Sequence, residues 1–178
     1  MGNFPKDKQQ KLYNCFEIIS KPNNWARAVK SSVVNGEVSD TKLTQLEYWD
    51  AFKNYARQHN TTLRFQKSYP QHWTNISIGS SECNISLTIN TRDNAIACEL
   101  YISNNKELYQ QLYARKAEIE QSLNENLEWM ELPDRKASRI KISFSGDVLN
   151  RSDWDRQFEW MKEKAESFKK VFPVFLNA

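Results

Sequence analysis

Glycine, cysteine and histidine are all scarce in this chain, and each scarcity removes a class of protein. Four glycines in 178 residues are too few for a Gly-rich phosphate loop, a collagen-like repeat or a barrel with many tight turns, which lean on backbone shapes that glycine adopts most cheaply. The three cysteines, Cys15, Cys83 and Cys98, form no CxxC pair. They suit neither a disulfide framework nor a structural zinc site, and they read as small core hydrophobes. His59 and His72 have no His or Cys neighbour at ligand spacing, so no metal and no cofactor is expected. No run approaches the ~18 apolar residues of a membrane span, and the polar opening MGNFPKDKQQ has no hydrophobic signal region. That opening also lacks a myristoylation signal, because Lys6 stands where Ser or Thr is required. A cytoplasmic location with no membrane partner is the expectation. Charge of one sign is missing too: the net charge is +3, with the basic excess in residues 1–44 and balance in the remainder. Phosphate binding needs clustered positive charge, so composition alone gives a nucleic-acid partner little support.

What is present is bulk for a core. Six Trp, seven Tyr and nine Phe in a chain about one domain long make a staple unnecessary. Leu12, Cys15, Phe16 and Ile19 share a helical face over residues 7–20, which Pro22 closes, and residues 25–40, starting at Trp25, have connector composition. Thr44-Gln45-Leu46-Glu47 is a capping box, with Leu43 and Tyr48 as its staple. It predicts a helix to about His59 that turns Leu46, Trp49, Phe52 and Ala56 inward.

Over residues 73–102 the period drops from 3.6 to 2. Ile76 and Ile78, then Cys83, Ile85, Leu87 and Ile89, then Ile96, Cys98, Leu100 and Ile102 point one way. Asn75, Ser77, Asn84, Ser86, Thr88, Glu99 and Tyr101 point the other, which predicts three antiparallel strands with a polar outer face. Asn104-Asn105-Lys106-Glu107 caps one long helix striped by Leu108, Leu112, Ile119 and Leu123, with a Lys116–Glu120 pair. Residues 127–132 and 139–144 read as strands. A last helix from Ser152 buries Trp154, Phe158, Met161, Ala165, Phe168 and Phe172 until Pro173 stops it. The order implies an α+β fold, an antiparallel sheet of about five strands with helices packed on one face. Residues 1–40 form an N-terminal helix and connector, and 41–178 a compact domain.

The segments LTQLEYWDAFKNYA, HWTNISIGSSECNISLTINTRDNAIACELYI, LYARKAEIEQSLNENLEWMELPDRKASRIKI and FEWMKEKAESFKKVFPVFL together resemble the bacterial domain of unknown function numbered 4268, over about residues 43–176. Segment order and Trp placement carry the resemblance. It implies a setting in DNA processing or defence, because that domain often follows a restriction-endonuclease-like nuclease, and FEIISKPNNWARAV looks like the joint between the two. The nuclease half itself is missing from this chain. Asp40-Thr41-Lys42 and Asp134-Arg135-Lys136 match the short acidic-x-Lys element of such nucleases, but neither has an obvious strand-borne partner acid to complete a metal site. The resemblance implies no catalytic residue.

No catalytic signature stands in the sequence; Ile78-Gly79-Ser80-Ser81 lacks the GxSxG frame and reads as a hairpin loop. Two surfaces are candidates for binding. Arg135, Lys136, Arg139 and Lys141, with Arg115 and Lys116 from the preceding helix, could line a phosphate-contacting surface on which Trp129 or Tyr101 stacks bases. Alternatively, Glu125, Glu128, Glu131 and Asp134 neutralise them as surface pairs. The outer sheet face, with Trp73, Asn75 and Tyr101, could be a flat platform for a partner or a second copy, or simply solvated. Trp25, Trp49, Trp129, Trp154 and Trp160 fall mostly at core-facing positions. The expected function is a non-catalytic module that binds nucleic acid or a protein partner such as a nuclease. The alternative is a homo-oligomerisation or interaction scaffold.

Overall fold

A computed structural model describes residues 39–176. The expected helix over 7–20, Cys15 and the segment around Trp25 lie outside the described residues. The chain divides into two units between Leu43 and Thr44, and the account below concerns the second, Thr44–Ala178.

Helix α1 spans Asp40–Gln58, so it begins one turn before the capping box and Thr44 lies inside it. Residues 40–43 contain no helix breaker, and the Asp40 carboxylate suits the positive end of the helix dipole, so the helix extends back past the expected cap. Glu47 instead pairs with Arg151, and Tyr48 enters the core rather than stapling the helix start. At the other end Asn60 turns left-handed, with φ 53°, and the Thr61 amide donates to the Ala56 carbonyl at 3.1 Å. That closure joins the His59 amide on the same carbonyl, 3.2 Å away, and seals the helix end.

Strands β1 (Trp73–Ile76), β2 (Cys83–Asn90), β3 (Ala95–Ile102), β4 (Glu128–Met130) and β5 (Ser138–Ser145) form one sheet in the order β1-β2-β3-β5-β4. Every pairing is antiparallel, and β3 is bonded along its whole length to β2 on one side and β5 on the other. The inward set of the period-2 reading holds in β2 and β3: Cys83, Ile85, Leu87, Ile89, Ile96, Cys98, Leu100 and Ile102 are all buried, and on the outer face Ser86, Ala97 and Glu99 are buried as well. Ile78 is buried as well, although the ladder ends at Ile76. Both described cysteines are free, and burial raises both thiol pKa values.

The expected long helix is two. Asn105 caps α2 (Lys106–Ala114), its side-chain oxygen taking the Leu108 amide at 2.8 Å. The chain then leaves helical geometry at Arg115 (φ −106°, ψ 19°) before α3 (Lys116–Leu123). The break has a packing reason: α2 lies against β3 and β5, whereas α3 lies against the last helix. One straight rod could not follow both surfaces.

A 3₁₀ turn, Arg151–Asp153, leads into α4 (Trp154–Leu176). Pro173 does not end α4. It sits in the last turn, between Phe172, which is fully buried, and Phe175, which packs on the core. Those flanking aromatics outweigh the single backbone bond that proline removes there. The six core positions expected of α4 are all buried.

All four described helices pack on the Ile/Leu/Cys face of the sheet in one core. Within it α1 meets α4 through a polar bridge: the Tyr48 hydroxyl donates to Gln157 Oε1 at 2.9 Å. Gln157 Nε2 in turn donates to the Asp147 carbonyl and to Asp153 Oδ2, each at 3.0 Å. Tyr48 and Gln157 have no exposed surface, so every polar atom of the bridge depends on its partner.

Candidate functional site

Apart from Gln45 of α1, which lines its groove, the face of the sheet opposite the helices is covered by no described helix, and register arranges its side chains in cross-strand rows. One row runs Asn75, Ser86, Glu99, Lys141, Glu128; the next holds Asn84, Tyr101, Arg139, Met130; on the other side lie Trp73, Thr88, Ala97 and Ser143. Small side chains occupy the middle of this surface, at Ser86, Thr88, Ala95 and Ala97, while Trp73, Tyr101, Met130, Arg139 and Lys141 stand around them. The result is an open groove of about 1020 Å³, to which His72, Arg92 and Asp93 contribute at one end. Trp73 is 37% exposed, with His72 edge-on to it at 4.6 Å.

Charge in the groove is arranged rather than massed. Arg139 Nη1 reaches Glu99 Oε2 at 3.3 Å, and its guanidinium lies 5.6 Å from the centre of the Tyr101 ring directly opposite on β3. Lys141 reaches Glu128 Oε2 at 3.5 Å, a half-exposed pair of little net strength. Glu99, expected on a solvated face, is 2% exposed. Its central strand and taller neighbours enclose it, and burial raises its carboxyl pKa, with Arg139 and Lys141 pulling the other way. Arg139 Nε is a buried donor with no acceptor. Among the described residues the pair thus leaves one buried donor unpaired, and the carboxylate receives a single hydrogen bond.

The structure thus joins two sets of residues that the sequence presents separately. Arg139 and Lys141, from the basic segment, share one groove with Trp73, Asn75 and Tyr101 from the outer face. Arg135 and Lys136 are exposed on the β4–β5 loop. Lys106 fastens that loop, its ammonium donating to the carbonyls of Glu131, Leu132 and Ala137 and to the Ser138 hydroxyl. Arg115 and Lys116 belong to the helical layer on the opposite face. Arg115 pairs with Glu118 and covers the Phe175 ring, and Lys116 lies 4.0 Å from Glu120. Trp129 points the same way, donating through Nε1 to Glu120 Oε1 at 3.0 Å, which leaves Tyr101 as the stacking ring beside the basic residues.

Of the described tryptophans, Trp49 and Trp154 are buried, and Trp129 and Trp160 pack on the core. His59 stacks on Tyr55 with centroids 3.9 Å apart. Among the described residues no group of His, Cys, Asp or Glu could hold a metal ion, and no helix is long and apolar enough to cross a membrane.

One ionisable group escaped the sequence reading. Lys53 is 3% exposed, donating to the Gln66 carbonyl at 2.7 Å and the Ser68 hydroxyl at 2.9 Å. Burial, the largest effect, pushes its pKa down to about 8. Its spacing, four after Trp49 and three before Ala56, places it on the apolar stripe of α1, and that spacing is the signal that reveals it.

A family model described as Domain of unknown function (DUF4268) matches residues 44–175. No curated protein matches the chain. Among solved structures, the chain is similar to the crystal structure of YbjN, a candidate transcription regulator from E. coli. The identity is 13%, 73% of this chain and 90% of that chain are covered, and the TM-score is 0.38, too distant to bear on function.

Proposed function

The chain belongs to the family of domain of unknown function 4268, and on that premise we propose that it is a binding module whose open sheet face takes single-stranded nucleic acid. The observation that carries this reading is the meeting of Tyr101, Trp73, Arg139 and Lys141 on one groove of the sheet. Single strands are bound by cations that follow the backbone and by rings on which bases stack, and both are supplied here. Tyr101 and Trp73 stand two strands and two rows apart, roughly 17 Å from strand spacing and rise, a reach that a few unstacked nucleotides cover. Lys141 is free to turn to a phosphate, because its exposed pair with Glu128 costs little to break. Asn75, Ser86, Thr88 and Ser143 add neutral donors and acceptors between the rings. A role in DNA processing or defence beside a nuclease, which the family resemblance implies, is part of the same proposal.

Fluorescence anisotropy of labelled single-stranded DNA, single-stranded RNA and duplex at two salt concentrations tests it. Single strands are expected to bind more tightly than duplex and to weaken with salt. Lys141→Ala should flatten the salt slope by about 0.7, the value for one phosphate contact on a single strand. Tyr101→Ala should weaken binding by ~1–3 kcal/mol at any salt. Absence of binding at low salt refutes the reading. A second reading, self-association through this face, draws on the half-exposed Trp73 beside a groove whose charges nearly cancel. Light scattering on the eluting protein would then show a dimer that Trp73→Ala dissociates.

A further inference from the structure

We propose that Glu99 and Arg139 together read a guanine base on this face, an inference that rests on the single-strand reading above. Glu99 stands in the middle row of the central strand β3 and is 2% exposed. A carboxylate offers about four acceptor positions. Among the described residues one hydrogen bond reaches it, the long 3.3 Å approach of Arg139 Nη1 to Oε2. Oε1 accepts no hydrogen bond from any described residue. The nearest alternative cation, Lys141, is turned to Glu128. On the other side of the pair, Arg139 Nε lacks an acceptor among the described residues, while the arginine side chain as a whole is about a third exposed and lines the groove.

The buried atom of the pair without a partner is Arg139 Nε, and the carboxylate keeps acceptor positions that a ligand's donors can fill, so a ligand that offers both gains hydrogen bonds the described residues leave unmade. The missing groups are therefore N–H donors for Glu99 beside an acceptor for Arg139. The Watson–Crick edge of guanine presents that series: the O6 acceptor, then the N1–H and N2–H donors. The two donors match the two oxygens of a carboxylate, as a guanidinium does, and O6 falls toward the arginine. Adenine and cytosine offer one amino group beside a ring nitrogen acceptor, which would face a carboxylate oxygen and repel it. Thymine offers a single N–H between two carbonyls. Tyr101, beside Arg139 on the same row, supplies the ring on which the base rests.

The test is anisotropy on short labelled thymidine strands that carry one central guanine, inosine, adenine or cytosine. The strand with guanine is expected to bind about tenfold more tightly than those with adenine or cytosine, the discrimination of one good paired contact. Inosine, which lacks the N2 amino group, should fall between them. Glu99→Gln should abolish the preference for guanine, read as the ratio of guanine-strand to thymidine-strand affinity within the variant. Inosine tests the same contact on the unaltered protein, so the result does not depend on how the variant folds. Equal binding of all four strands overturns the guanine assignment and leaves the single-strand reading standing. Failure of every strand to bind overturns both.

Discussion

Replacing Tyr48 by Phe removes one oxygen from the core and nothing else, so the cost of that change can be worked from the bridge it breaks. The hydroxyl donates to Gln157 Oε1 at 2.9 Å, and its other polar neighbour, Met161 Sδ at 3.9 Å, has no hydrogen to offer the amide in its place. Gln157 cannot rotate to relieve the loss, because its Nε2 is held by Asp147 and Asp153. A buried acceptor without a donor costs about 1–3 kcal/mol. At a urea m-value of about 2 kcal/mol/M, a 2 kcal/mol loss lowers the midpoint by about 1 M. Urea titration followed by tryptophan fluorescence measures it, and a midpoint shift below about 0.3 M would refute the reasoning.

The alkaline limb gives a second reading of the same substitution. Burial, and then the charge of Asp153, raise the Tyr48 pKa far above its usual 10.0. Above about pH 10 the unfolded chain loses this proton first, the folded state binds more protons, and stability falls as pH rises, by up to about 1.4 kcal/mol per pH unit for one group. Tyr55, pushed up to about 12, and Tyr109, also raised, add to that fall in the native protein. Tyr48→Phe should make the alkaline decline shallower, and an unchanged slope would count equally against the bridge.

Two further substitutions probe ammonium groups, the buried one of Lys53 and the half-buried one of Lys106. Lys53 has its folded pKa lowered to about 8 from 10.5, so between those values the unfolded chain binds more protons and stability rises with pH; Lys53→Met should remove that rising component in urea titrations across the window, and a curve parallel to the native one would exclude it. Lys106→Met withdraws the donor shared by Glu131, Leu132, Ala137 and Ser138, so amide exchange in residues 132–137 should quicken by at least about tenfold, equivalent to 1.4 kcal/mol, while exchange in β2 and β3 stays as it was; uniform exchange across the chain would show that the clamp is not local.

How much of this was legible beforehand depended on whether local or distant contacts decide an element. The inward face of the β2–β3 hairpin was legible to the residue, because alternation along a strand records directly which face is buried, and the face of α4 was legible for the same reason at period 3.6. The start of α1 was misplaced because the Thr44–Glu47 pattern is only a local preference, and the glutamate is taken by Arg151, far along the chain. The break at Arg115 and the survival of α4 past Pro173 follow from what each segment packs against, which spacing does not encode. The candidate groove was half legible. Parity placed Trp73, Asn75, Glu99 and Tyr101 together, but only the pairing of β3 with β5 adds Arg139 and Lys141 and separates them from Arg115 and Lys116. Burial of Glu99 needed both strands and both neighbouring rows, information no single segment holds.

The bridge between α1 and α4 also sets a timetable. Tyr48 and Gln157 are 109 residues apart, whereas β2 and β3 meet across a four-residue turn. Closing the short loop is cheap and fast, and the long one is paid for only after the sheet offers a surface to close upon. During synthesis the hairpin can form as soon as residue 102 has left the ribosome, and Trp49 and Phe52 find early partners in Gln71 and Phe65, but the Tyr48 hydroxyl has no partner until Gln157 of α4 emerges. Through that interval the face of α1 that α4 will cover is exposed to misassociation, and a nascent chain arrested before Trp154 is the species on which a chaperone would be expected to act.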